Sequence, residues 1–172
     1  MVVHGVSQWA SADPAAAACW AVQIPDENLR HQVLADVCTA WAGRNPSGAA
    51  SFAVNYLPPG AEQDRAVVSI IQRWAQTAPA AAAMWVEQLP AAQARTAALQ
   101  NLVTAWTEQT PEAAAVWLKS LPSGPLRDEG IAVFAQMTAP LCFQYAQAWA
   151  SSIEDAARRA LCEEAIRRVS MP

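Results

Sequence analysis

The sequence predicts an all-α fold: about five antiparallel helical hairpins stacked side by side as an α-solenoid, with a partial helix in front. Three observations predict it. All eight tryptophans fall into two columns that share one period. Prolines recur in step with them, and the apolar residues between the prolines follow helical spacing.

In the first column Trp9, Trp41, Trp74 and Trp106 stand 32, 33 and 32 residues apart. The second column reads Trp20, Phe52, Trp85, Trp117 and Trp149, at intervals of 32, 33, 32 and 32. Pro14, Pro46, Pro79 and Pro111 follow each first-column Trp by five residues, and Pro25, Pro58, Pro90 and Pro122 close the next segment. This organises the chain as a single domain over 1–172. A partial helix occupies 1–10, and the repeats fall near 11–42, 43–75, 76–107, 108–139 and 140–172.

Each repeat has a short half and a long half. In the short half Asp13, Asn45 and Thr110 precede a proline, which predicts a side-chain N-cap followed by Pro at the first helical position, with Ala78 as the exception. Ala17, Trp20, Ala21 and Ile24, then Ala82, Trp85, Val86 and Leu89, continue at helical spacing until the closing proline. The long half opens on acidic residues such as Asp26 and Glu27 or Asp128 and Glu129, which suit the positive end of a helix. Its apolar stripes are Leu34, Val37, Cys38 and Trp41, then Val67, Ile70, Ile71 and Trp74, then Leu99, Leu102, Val103 and Trp106.

A lone hairpin cannot bury such a stripe, so neighbouring repeats must stack. Trp9, Trp20, Trp41, Phe52, Trp74, Trp85, Trp106, Trp117 and Trp149 are read as the plugs of those interfaces, with alanine letting the helices approach. The ends depart from the pattern. Thr138 replaces the first-column Trp, and Glu163 and Glu164 precede Arg167 and Arg168 by four residues, as suits a solvated cap. Val2, Val6 and Trp9 match the last turns of a long helix, so the chain opens on half a hairpin: a short cap, or a piece of a longer array.

The tandem W-A-x-x-D-P-x-A-A-x-x-W-x-x-x-L-P pattern resembles the Trp-Ala/Asp-Pro helical repeats of bacterial proteins and is more distantly similar to tetratricopeptide (TPR) repeats, as at Ala40-Trp41-Ala42-Gly43-Arg44-Asn45-Pro46. The period of 32 to 33 is shorter than that of a TPR, and a proline stands where a TPR carries its glycine-containing turn. The resemblance implies a right-handed, TPR-like superhelix with a concave binding surface. It transfers no peptide-binding residue.

Composition narrows the function. With 53% hydrophobic residues the chain can bury a core. A net charge of −4 and scattered basic residues speak against nucleic acid as a partner. No stretch approaches the roughly 20 apolar residues of a membrane span, and Met-Val-Val-His-Gly at the start lacks the regions of a signal peptide. A cytoplasmic protein without a membrane partner is expected. Cys19, Cys38, Cys142 and Cys162 show no CxxC spacing and are read as reduced, buried thiols, Cys38 as a small core hydrophobe and Cys19 as the one whose column allows partial exposure.

Catalytic, metal and cofactor sites find no support. His4 and His31 stand apart, and His31 shares a polar column with Asp64, Thr96 and Asp128. Glu163 and Glu164, like Asp128 and Glu129, read as surface charges with no apolar pocket to adapt them for acid–base work. Arg30, Arg95, Arg127 and Arg159 form a column, broken by Gln63, that is either an anion-binding stripe or a set of caps for the free carbonyls of the short helices.

A non-catalytic scaffold for protein or peptide binding is therefore expected, its function carried by columns that vary. On the short helices these are Cys19 and Val22, Ser51 and Val54, Met84 and Glu87, and Val116 and Lys119, which share a face at helical spacing and form a candidate peptide groove. The alternative for this ladder is packing between short helices, with Glu87 and Lys119 as an ordinary pair. The alternative function is a structural module of a larger array or a head-to-tail oligomer, that is, self-association.

Overall fold

The structure, a computed structural model, describes residues 2–89 and 93–170, with the backbone alone for 2–5, 7, 93 and 170. Pro90, expected to close the third short helix, lies outside the described residues. The described residues form eleven helices and no strand: α1 Val2–Ala12, α2 Pro14–Ala21, α3 Glu27–Trp41, α4 Pro46–Tyr56, α5 Ala61–Thr77, α6 Pro79–Gln88, α7 Gln93–Gln109, α8 Pro111–Ser120, α9 Pro125–Thr138, α10 Phe143–Ser151 and α11 Ala156–Ser170. The architecture is all-α, with helices packed as sequential hairpins. The chain divides into two compact units, Met1–Ala98 and Leu99–Pro172.

In the first unit α1, α3 and α5 lie side by side, with α2 seated against α1 and α3, α4 against α3 and α5, and α6 against α5. In the second, α9 lies along α11, α10 sits across both, and α8 packs on α9. Composition explains the layering. The short helices turn an alanine face inward, Ala17, Ala18 and Ala21 on α2 and Ala49, Ala50 and Ala53 on α4, so their backbones approach the long helices closely. The long helices supply bulk. Leu34, Val37 and Cys38, then Val67, Ile70, Ile71 and Trp74, are buried in the first unit, and Leu99, Leu102, Val103 and Trp106 in the second.

The two tryptophan columns meet. Ring centroids lie 6.1 Å apart for Trp9–Trp20, 5.8 Å for Trp41–Phe52, 6.2 Å for Trp74–Trp85 and 5.6 Å for Trp106–Trp117. Each pair joins the end of one long helix to the short helix after it. Trp9 and Trp20 are each 39% exposed, whereas Trp74, Trp106 and Trp149 are buried. Where Thr138 interrupts the first column, Phe134 one turn earlier takes the aromatic role, 4.9 Å from Trp149 and 6.2 Å from Tyr145. Thr138 returns its hydroxyl to the Phe134 carbonyl at 2.9 Å.

Helix starts follow the expected caps with one correction. Asp13 accepts from the Ala16 N–H at 3.0 Å and Asn45 from Gly48 at 2.9 Å. Thr110 stands at its N-cap but makes no side-chain cap bond, so α8 begins on Pro111 alone. Gly60 and Gly124 precede α5 and α9 with φ of 151° and 147°, a region that disfavours a side chain.

Three members of the arginine column cap carbonyls, whereas Arg127 pairs with Glu154. Arg30 Nη1 donates to the Ile24 carbonyl at 2.8 Å, Arg95 Nη1 to Leu89 at 3.4 Å and Arg159 Nη1 to Ile153 at 3.0 Å. Gln63 does the same, donating to Leu57 at 2.8 Å, so the break in the column preserves the bond. Each bond satisfies a carbonyl where a short helix has ended. Arg30→Ala is expected to lose about 1.5–3 kcal/mol in urea unfolding, and Arg30→Gln less than about 1 kcal/mol. Equal losses for the two would contradict the capping role.

Candidate functional site

With the alanine faces turned inward and the tryptophans paired, the opposite side of each short helix is left to solvent. In the first unit Cys19, Val22, Ser51, Met84 and Glu87 are exposed and Val54 is half-buried. In the second unit Val116 and Lys119 are exposed. Met84 is 64% and Val116 69% exposed, so these apolar side chains are not spent on packing one short helix against the next.

Three of the eight ladder residues, Ser51, Val54 and Lys119, border two grooves of the same construction, one in each unit. Between α4 and α6 a groove of about 220 Å³ is lined by Ser51, Val54, Asn55, Trp85, Gln88 and Leu89. Between α8 and α10 one of about 280 Å³ is lined by Lys119, Arg127, Tyr145, Ala148, Trp149 and Ser152. Each has a second-column tryptophan on one wall and the ninth residue of the preceding short helix, Val54 or Lys119, on the other. Short helices seated over the seams of long ones are spaced widely enough to leave such grooves. Cys19 and Val22, at the end of α2, line neither groove, nor do Met84, Glu87 and Val116.

The long helices carry a second, more polar surface that sequence reasoning did not single out. In the second unit a groove of about 470 Å³ lies along α7, α9 and α11, with Gln100, Thr104, Glu129, Gln136, Arg158 and Cys162 among its lining. Gln100 Nε2 donates to Glu129 Oε1 at 3.4 Å. In the first unit burial raises the Asp36 carboxyl above its usual range, with Arg65 opposing the rise and Glu62 adding to it. Arg65 itself pairs with Glu62 at 2.5 Å. The signal was an alternation of amide, hydroxyl and charged residues along each long helix, which in sequence is indistinguishable from a solvated face.

One surface charge proves internal. Asp128, expected on an exposed turn, is only 3% exposed, and its carboxylate accepts from the Glu154 N–H at 3.1 Å and the Asp155 N–H at 2.9 Å, just before α11. It ties two successive long helices of the second unit together instead of facing water. Of the two ion pairs expected at the C-terminal end, Arg168 pairs with Glu164, while Arg167 Nε donates to the Glu163 carbonyl at 3.0 Å.

All four thiols are free, but burial holds only for Cys38 and Cys162: Cys142, expected to be buried, is exposed, as is Cys19. Burial pushes the Cys38 thiol up to about 12, and burial followed by the Glu163 charge raises Cys162, whose Sγ points at the Ala132 carbonyl at 3.8 Å. Both stay protonated and inert near neutrality. A thiol titration at about pH 8 should find Cys19 and Cys142, both exposed, reactive in the folded protein. Reaction of Cys38 or Cys162 before unfolding would contradict the burial. No group of three or more His, Cys, Asp or Glu among the described residues is placed to hold a metal ion, and no helix among them is long and apolar enough to cross a membrane.

Compared with protein-family models, with curated proteins and with solved structures, the chain matches none.

Proposed function

We propose that the chain is a non-catalytic helical-repeat scaffold that binds a protein or peptide segment on its short-helix face. In this reading the hairpins continue as about five repeats of a right-handed, TPR-like α-solenoid, akin to the Trp-Ala/Asp-Pro repeats. The four free thiols fit a reducing compartment such as the cytoplasm.

The observation that carries the proposal is the exposure of Met84 and Val116 at the same register of two short helices. Apolar side chains placed on helices whose stability is supplied elsewhere are available to a partner. A displayed random-peptide library selected on the chain tests it. Binders are expected that lose affinity on Met84→Asp or Val116→Asp, while either substitution shifts stability by no more than about 1 kcal/mol. Failure to enrich any peptide, or binders indifferent to both substitutions, would defeat the proposal.

A second reading, a module of a larger array or a head-to-tail oligomer, draws on the exposed Trp9–Trp20 pair. Light scattering separates it. A mass that rises with concentration, and falls on Trp20→Ala, favours self-assembly, whereas a strict monomer removes it.

A further inference from the structure

The two short-helix grooves share a frame and differ in charge. Lys119 stands 65 residues after Val54, and Trp149 stands 64 after Trp85, so each groove sets the same two repeat positions against each other. The first-unit groove contains only neutral side chains. In the second unit the Lys119 Nζ lies 5.3 Å from the centroid of the Trp149 ring, and no acidic residue lines the groove. The other cation there, Arg127, is paired with Glu154 at 3.3 Å, and Glu154 also accepts the Ser123 hydroxyl at 2.5 Å. Glu154 therefore balances Arg127 and leaves the Lys119 ammonium as the charge the groove presents. Beside it is the half-exposed Tyr145 ring, while the Trp149 ring beneath it is only 7% exposed.

We infer that the α8–α10 groove recognises an acidic peptide segment: a carboxylate side chain meets the Lys119 ammonium, and a neighbouring aromatic side chain of the same segment lies against Tyr145. The α4–α6 groove offers the same tryptophan wall without the cation and does not distinguish acid from amide. A carboxylate suits an ammonium already resting on a ring, because the ring takes one side of it and leaves its remaining N–H donors free. Nucleic acid is the less favoured anion, since a net charge of −4 repels a polyanion and the groove presents one uncompensated cation. This assignment rests on the short-helix face being the binding surface and adds the chemistry of the partner.

Calorimetric titration of the whole chain with a capped peptide of alternating glutamate and phenylalanine, and with its glutamine-for-glutamate twin, tests the assignment. The acidic peptide is expected to bind at least about five-fold tighter than the twin at low salt, with the preference shrinking between about 50 and 500 mM salt. Lys119→Gln, on an exposed side chain, should erase the preference without moving the melting temperature. Val54→Lys should raise affinity for the acidic peptide by providing a second cationic groove. Equal binding of the two peptides overturns the acidic assignment and leaves the short-helix binding surface standing. Binding of neither peptide also overturns it, and the binding surface then depends on the library selection alone. Displacement of the acidic peptide by an oligothymidylate at equal charge concentration would overturn it in favour of nucleic acid.

Discussion

Phe134→Ala is expected to lower the stability of the protein by about 3–5 kcal/mol, the largest effect of any single truncation considered. Phe134 is fully buried and replaces, one turn early, the tryptophan that Thr138 lacks. Its ring stands edge-on to Trp149 at 4.9 Å, so truncation opens a cavity beside that ring and removes an aromatic contact. The register supplies the control. The same column holds Val37, Ile70 and Leu102 in the other long helices, so Phe134→Leu restores the residue type of its repeat neighbours and should cost no more than about 2 kcal/mol. Urea unfolding of the two variants checks the pair. A loss below about 1 kcal/mol for the alanine variant would show that the ring is not the substitute for the missing tryptophan.

Asp128→Ala is expected to cost about 2–4 kcal/mol, because it leaves the Glu154 and Asp155 N–H groups without their acceptor in a partly buried turn. Asp128→Asn keeps one carbonyl oxygen and should fall near half that loss. The effect should also be local. Asp155 caps α11 by accepting the Arg158 N–H at 2.6 Å, so releasing its backbone loosens the start of that helix. Hydrogen exchange at the first turns of α11 should accelerate in Asp128→Ala more than exchange in α9. Uniform acceleration would mean that Asp128 contributes to the core in general and not to that junction.

These two residues mark where the sequence stops being legible. The repeat was readable because its period lies along the chain: tryptophans and prolines at fixed spacing announce helices before any tertiary contact is known. The buried stripes of α5 and α7 and the caps at Asp13 and Asn45 follow from spacing and local chemistry, and they stand where expected. The burial of Asp128 is a relation between residues 26 and 27 positions apart, and its column, shared with His31, Asp64 and Thr96, looks uniformly solvated when read by type. The gap left by Thr138 was visible, but its repair by Phe134 required knowing which face of α9 meets α10.

The candidate site was legible to the same depth. Variation along the short-helix columns identified residues that, apart from the half-buried Val54, face solvent, because columns that build the stack are constrained by volume and the remaining columns are not. It could not identify the grooves. Those form where a short helix spans two long ones, so their walls combine a variable residue such as Lys119 with tryptophans assigned to the stack. Trp149 belongs to both sets: its ring packs on Phe134 and lies beneath the Lys119 ammonium.

The tryptophan columns face each other between successive hairpins, which leaves the outer side of the short helices exposed. Nuclear Overhauser spectroscopy on protein labelled at tryptophan tests it most directly. Inter-ring cross-peaks are predicted for Trp9–Trp20, Trp74–Trp85 and Trp106–Trp117, whose ring centroids lie 6.1, 6.2 and 5.6 Å apart. Absence of cross-peaks from all three pairs in the folded protein would contradict the hairpin packing, and with it the assignment of the short-helix face.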